Sequence, residues 1–332
     1  MTAAVHADAG ADAADAAGAF GGTGVLRLGT RRSALALTQS RLVGDALEAA
    51  AAAAGHPVRV ELVEVTTTGD TSSSPLSSFG GVGVFVSRLR EALTSGQVDL
   101  AVHSLKDLPS KPFDGLTLAA VPPREDPRDV LVSVGGTKLT DLPAGARVGT
   151  GSPRRAAQLR ALGTGLEVVD VRGNVDTRLR MVGDGLDAVV LANAGLRRLG
   201  RAEEITQVID VDVMLPAPGQ GALAVECRAQ DTDLVALLQA LDDAETRACV
   251  SAERALMATL EAGCAAPLGA LATCENDELV LRAAVISVDG SRRLERTLTG
   301  RPGGARELGE ELAALLLALD VATVMSHAGG PR

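Results

Sequence analysis

The stretch RVGTGSPRRAAQLRALGTGLEVVDVRGNVDTRLRMVGDGLDAVVLANAGLRRLG, residues 147–200, decides the fold class of this chain. RVGTG reads as a strand and turn, PRRAAQLRAL as a helix with proline in its first turn, and GLEVVDV as a second strand. Proline suits that position because the N–H it lacks would be unpaired there anyway. NVDTRLRMVGDG then reads as a helix, DAVVLAN as a strand and AGLRRLG as a helix. Short apolar strands separated by helices predict a parallel sheet and an α/β class. Open α/β sheets bind ligands beyond the carboxyl ends of their strands, and GTGSPRR, VRGN and LANAGLRR occupy three such ends.

The same region is chemically biased. Between Arg147 and Arg201 there are ten arginines, no lysine and five carboxylates. A guanidinium is a planar fork that matches carboxylate or phosphate and stays charged at any relevant pH. Any one arginine has an ordinary reading as part of a solvated, ion-paired face. As a set with few carboxylates beside it, Arg154, Arg155, Arg172, Arg178, Arg197 and Arg198 predict a polyanionic ligand. GTGSP lacks the GK[ST] of a phosphate loop and is weak support by itself.

Toward the N-terminus, GVLRLGT reads as a strand, with Ser33 capping the helix that follows. That helix covers LALTQSRLVGDALEAAAAAA, places Leu35, Leu42 and Ala46 on one face, and stops at Gly55-His56-Pro57. VRVELVEV is β-like, TTTGDTSSSPLSSFGGVG has the composition of a mobile loop, and a helix over 84–95 leads into the strand VDLAV. Beyond LPAPGQGALAVECR an acidic helical stretch precedes strands joined by hairpin turns, with Asp289-Gly290 as one turn signal, and then a last helix, ARELGEELAALLLAL. This C-terminal part reads as a separate α+β domain.

The 332 residues are 46% hydrophobic and 22% charged, enough for two or three packed domains, and they include four Phe but no Tyr or Trp. Aromatic platforms for stacking nucleic-acid bases are therefore largely missing. A net charge of −10 argues against nucleic-acid or anionic-membrane partners. Cysteines 227, 249, 264 and 274 show no metal-ligand or disulfide spacing. Residues 1–23 read as a disordered tail without the basic and leucine-rich segments of an export signal, so a cytoplasmic protein is expected.

Two further places carry candidate chemistry. AVHSLKDLPSK, residues 101–111, sets His103, Ser104, Lys106 and Asp107 directly after an apolar run and forbids a long helix with Pro109. A lone aspartate in a turn is ordinarily a cap. Beside a cationic site, the same carboxylate can stabilise a cation that develops during reaction. Cys264, in the loop EAGCAAPLGA, is either an inert thiol or an exposed reactive one, whereas Cys227 and Cys249 read as core and Cys274 stays ambiguous.

LRLGTRRSALAL, AVHSLKDLP, GTGSPRRAAQL, VRGNVDTRL, LANAGLRRLG, LPAPGQGALAVE and GCAAPLGA, taken in this order and spacing, resemble the porphobilinogen deaminase (hydroxymethylbilane synthase) family over about residues 24–325. The resemblance implies two doubly wound α/β domains, like the halves of a periplasmic binding protein, plus a smaller α+β C-terminal domain. It implies domain 1 over 24–122 and 217–240, domain 2 over 123–216, and domain 3 over 241–328. It also implies a transferase that joins four porphobilinogen molecules head to tail, releasing ammonia, to give the linear tetrapyrrole hydroxymethylbilane of heme biosynthesis. The product grows on a dipyrromethane cofactor, and by the resemblance Cys264 holds that cofactor through a thioether.

Asp107 matches the family's catalytic aspartate. Arg31, Ser33, Arg154, Arg155, Arg172, Arg178 and Arg198 match residues that hold the acetate and propionate groups, with Ser152 and Lys106 assisting. Phe85 would pack near the cofactor or belong to the core. The family expectation is a monomer with no metal. Many relatives carry lysines in and just after the loop, where this chain has Val82, Ser87 and Arg88, so no loop-lysine role carries over. A non-catalytic, two-lobed anion-binding protein is the rival reading; it explains the arginines but gives Cys264 and the third domain no purpose.

Overall fold

The computed structural model describes residues 24–65, 84–263, 266–319 and 321–326. Cys264, the proposed mobile loop over 66–83 and the tail over 1–23 lie outside the described residues, as does the side chain of Phe85.

The first lobe opens with β1 (Val25–Thr30), α1 (Ala34–Ala53), β2 (Arg59–Glu64), α2 (Val84–Thr94), β3 (Leu100–Ser104) and β4 (Leu116–Ala120). The second contains β5 (Asp129–Ser133), β6 (Arg147–Gly149), α3 (Pro153–Ala161), β7 (Glu167–Val169), α4 (Val175–Arg180), β8 (Ala188–Ala192), α5 (Asn193–Arg198) and β9 (Gln207–Val208). The chain then returns through β10 (Leu223–Arg228), continues into α6 (Thr232–Gln239) and α7 (Ala244–Thr259), and forms β11 (Leu268–Glu275), β12 (Glu278–Ile286) and β13 (Arg293–Gly300). Helices α8 (Ala305–Leu317) and α9 (Val321–Ser326) follow.

The two lobes repeat one topology. Their five-stranded sheets have the orders β2-β1-β3-β10-β4 and β7-β6-β8-β5-β9, each with helices between parallel strands. The expected α/β lobes and the smaller α+β C-terminal part are thus present. The parallel pairing expected of such lobes is joined by reversed strands: β10 runs antiparallel to β3 and β4, and β5 runs antiparallel to β8 and β9. Each of these strands crosses from the other lobe and enters its sheet in the reverse direction, which alternation of strand and helix in the sequence does not reveal. The third sheet is the antiparallel meander β11-β12-β13, covered by α7 and α8 around Leu256, Leu281, Leu312 and Leu316. Gly309 permits that helix pair to close, since a Cβ there would lie 2.3 Å from the carbonyl oxygen of Ala252.

Helix α1 buries a different face from the one that carries Leu42 and Ala46. Its buried face is Gln39, Ser40, Val43, Gly44, Leu47 and Ala51, while Leu42 is 50% exposed and Ala46 also faces solvent. Gln39 and Ser40 tolerate burial because their side chains hydrogen bond to Ser104 Oγ and Thr30 Oγ1 at 3.1 and 2.8 Å. An apolar pattern cannot count such residues as core.

Candidate active site

The site is assembled at the edge where the parallel strands of both lobes end. β1 leads into Arg31 and into Ser33, whose Oγ accepts from the Ala36 amide at 3.3 Å and so caps α1. Its neighbour β3 leads into a single tight turn, Leu105–Asp107, anchored by buried Leu105. Lys106 is half-buried there and Asp107 is exposed.

Strand alternation splits the polar cluster seen in the sequence. Ser104 faces α1, whereas His103 points to the opposite face, with Nε2 3.2 Å from Glu226, a carboxylate that accepts from buried Arg90 at 2.7 Å. His103 therefore belongs to a buried ion cluster beneath α2.

In the second lobe β6 leads to Ser152, which caps α3 by accepting from the Arg155 amide at 3.4 Å. The two arginines of the first turn of α3 point inward and are only 3% and 5% exposed. Both close on Asp129: Arg154 Nη1 lies 2.8 Å from Oδ2, and Arg155 donates from Nε and Nη2 to Oδ1 at 3.0 and 2.8 Å. Burial would raise the Asp129 carboxyl, but the two guanidiniums more than offset it and hold it well below the usual carboxylate range.

Asp129 was not singled out in the sequence, and the reversed strands explain why it matters. It is the first residue of antiparallel β5 and pairs with Ala192, the last residue of β8, so a strand beginning falls where its neighbours end. The same device brings in Gln220. It precedes β10, whose first residue Leu223 pairs with Ser104 at the end of β3. Gln220 Nε2 donates to Asp129 Oδ1 at 2.8 Å and to the Pro127 carbonyl at 2.7 Å, and its Oε1 accepts from Lys106 Nζ at 3.2 Å. Asp129 and Gln220 thus join the lysine of one lobe to the arginine pair of the other.

Burial pushes the Lys106 ammonium down to about 8, with the charges of Arg155 and Arg154 adding to the shift and those of Asp107 and Asp129 opposing it. Burial likewise lowers Arg178, and the positive charges of Arg155 and Arg172 beside it act in the same direction. Arg172 is exposed and sits 3.4 Å from Asp170. Arg198 is held on the crossing segment, donating from Nη2 to the Gly221 carbonyl at 2.6 Å. Arg197 turns to the side chain of Asn193 and stays exposed, so it does not join the cluster.

The arrangement suits an acid-rich ligand. Lys106, Arg154, Arg155, Arg172 and Arg178 come together, and the wholly buried carboxylate among them is Asp129. Arg154 Nε and Arg178 Nε are buried donors without a hydrogen-bond partner among the described residues, an arrangement that further acceptors would relieve. Among the described residues no group of three His, Cys, Asp or Glu side chains could hold a metal. Cys227 and Cys249 are buried, and Cys274 is partly covered by the core of the third domain.

Comparison with known proteins agrees with this chemistry. The family described as "Porphobilinogen deaminase, dipyromethane cofactor binding domain" matches residues 26–236, and "Porphobilinogen deaminase, C-terminal domain" matches 247–318. Porphobilinogen deaminase 1 of Streptomyces coelicolor is 55% identical over 316 residues, 91% of this chain and 98% of its own length. Porphobilinogen deaminase of Nocardia farcinica is 56% identical over 304 residues, 89% of this chain and 86% of its own length. Among solved structures, the VFT2 domain of Bordetella pertussis BvgS is 17% identical with a TM-score of 0.41, covering 68% of this chain and 90% of that one. The chain belongs to the porphobilinogen deaminase family, transferases that build the linear tetrapyrrole hydroxymethylbilane from porphobilinogen on a dipyrromethane cofactor.

Proposed function

We propose that Asp107 is the carboxylate that stabilises the cationic substrate, that Cys264 anchors the cofactor by a thioether, and that the cationic cluster holds the carboxylates of substrate and cofactor. The observation that carries this is the packing of Lys106, Arg154 and Arg155 around one buried carboxylate, Asp129, beside an exposed Asp107. Each pyrrole brings an acetate and a propionate, so the negative charge to be held grows with every ring added. Asp129 neutralises part of the buried positive charge, and the surplus remains to bind acids.

Lys106, Ser152, Arg154 and Arg155 would hold the dipyrromethane, and Arg31, Ser33, Arg172, Arg178 and Arg198 the incoming and growing pyrroles. When bound, the dipyrromethane supplies the terminal pyrrole carbon on which the product is built. As ammonia leaves the aminomethyl group of porphobilinogen, positive charge spreads onto the ring nitrogen, and a carboxylate beside that N–H lowers the barrier. Asp107 is exposed at the end of β3 and can approach such a nitrogen. Lys106, with a pKa of about 8, is largely charged at neutral pH, and an arriving carboxylate favours that form further.

We also infer a cytoplasmic monomer, from the family resemblance; among the described residues no helix is long and apolar enough to cross a membrane. The deciding experiment is the denatured intact mass of the purified protein beside its Cys264→Ala variant. A mass excess of two linked pyrroles in the first and none in the second is expected. A wild-type chain that stays unmodified after incubation with porphobilinogen would reduce the site to anion binding alone.

A further inference from the structure

Asp107 lies on a short turn, and the residue two places on is a proline with no N–H to donate into the neighbouring structure. The turn is gripped from outside its own lobe. Arg254, on α7, donates from Nη1 to the carbonyl of Leu108 at 3.0 Å and from Nη2 to the carbonyl of Pro109 at 2.7 Å. Both arms of one guanidinium fork are thus committed to the two peptide carbonyls that follow Asp107.

Packing holds this turn on one side. Leu105 and Leu108 share a buried cluster with Val250, one turn of α7 before Arg254. On the other side, a cavity of about 320 Å³ separates residues 108–111 from Met257, Ala258 and 261–263 at the end of the same helix. Arg254 stands at the boundary between the packed and the open part, where side-chain contact alone no longer fixes the backbone. Helix α7 ends at Thr259, and a turn through Glu261 leads from it to Gly263, the residue before Cys264.

We infer that Arg254 is a positioning residue: by holding the carbonyls of Leu108 and Pro109 it aims the Asp107 carboxylate and ties that aim to the helix leading to Cys264. The inference rests on the role proposed above for Asp107. A carboxylate that must meet one developing charge loses most of its effect when displaced by about 1 Å, a misplacement that can cost roughly 100-fold in rate. The substrate-holding arginines stand on other elements and are left in place.

The test uses cofactor-loaded protein, with loading read by intact mass. In Arg254→Ala, kcat is expected to fall about 10- to 100-fold while KM for porphobilinogen changes by less than about 3-fold, as expected when a transition-state interaction is removed. Deuterium exchange in the peptide covering 105–111 is expected to quicken, and low, non-denaturing guanidinium should restore part of the rate. Arg254→Lys, which keeps the charge but not the fork, should give an intermediate kcat and serves if the alanine variant does not accumulate. In an Asp107→Ala background, Arg254→Ala should add less than about a 2-fold loss, since residues acting through one group are not additive. A defect confined to KM or to cofactor loading, with unchanged kcat in the loaded fraction, would overturn the inference. Full activity in Asp107→Ala would instead remove the Asp107 proposal on which it stands.

Discussion

Asp129→Asn is the perturbation whose size the structure sets most directly. The carboxylate has no exposure, accepts from Arg155 and Gln220 and is ion-paired with Arg154. An asparagine of the same shape removes the charge and turns an NH2 group toward one of the guanidiniums. Breaking a buried pair by removing one partner costs about 3–5 kcal/mol, because the remaining charge is left uncompensated. Arg154 and Arg155 each keep a backbone acceptor, the carbonyls of Leu215 and Val190, which places the expected loss near the lower end of that range.

About 3 kcal/mol corresponds to roughly 6–12 °C in melting temperature for a cooperative unit of 150–250 residues. Differential scanning calorimetry of wild type and variant at neutral pH measures it. The folded-state pKa of Asp129 is depressed, so its stabilisation is fully present above the ordinary carboxylate range and is lost as pH falls below it. The gap between the two proteins should therefore be widest at neutral pH and narrow in acid. A variant that melts within about 2 °C of wild type at pH 7 would refute the assignment of Asp129 as the buried counter-ion, given the usual cost of breaking such a pair.

Two more outcomes are expected. With a folded pKa of about 8, Lys106 loses its charge there, so kcat/KM for porphobilinogen should fall as pH rises through about 8. Lys106→Arg should lack that limb because a guanidinium stays protonated, and an identical limb in both proteins would show that another group titrates. Gly221 has φ +89°, and a Cβ there would lie 2.3 Å from the carbonyl oxygen of Glu125 where the crossing segments meet. Gly221→Ala should cost at least about 2 kcal/mol in denaturant unfolding through backbone strain and this clash, and an unchanged midpoint would contradict it.

The local elements were legible because their signals are local. Pro153 marked the start of α3, Ser33 acts as the cap expected of its position, and the Asp289-Gly290 signal falls between β12 and β13. The motif text also identified the family, and the arginine surplus pointed to an acidic ligand. Burial was less legible. Arg154 and Arg155 read as ligand-facing arginines, yet they lie inside the lobe and bind Asp129 first. On α1, Leu42 is exposed, while Gln39 and Ser40 are buried because hydrogen bonds satisfy them.

By itself, then, the sequence determined most of the helices, many of the strands, and which strand ends carry charge. Capping, turn geometry and side-chain charge are properties of residues near one another in the chain. The directions of β5 and β10 were decided only in the tertiary structure, because strand pairing depends on partners scores of residues away. Reversing those two strands carries Asp129 and Gln220 to the edge where the parallel strands end. Lys106 and the two buried arginines meet there because the fold is closed, not because any spacing in the chain requires it.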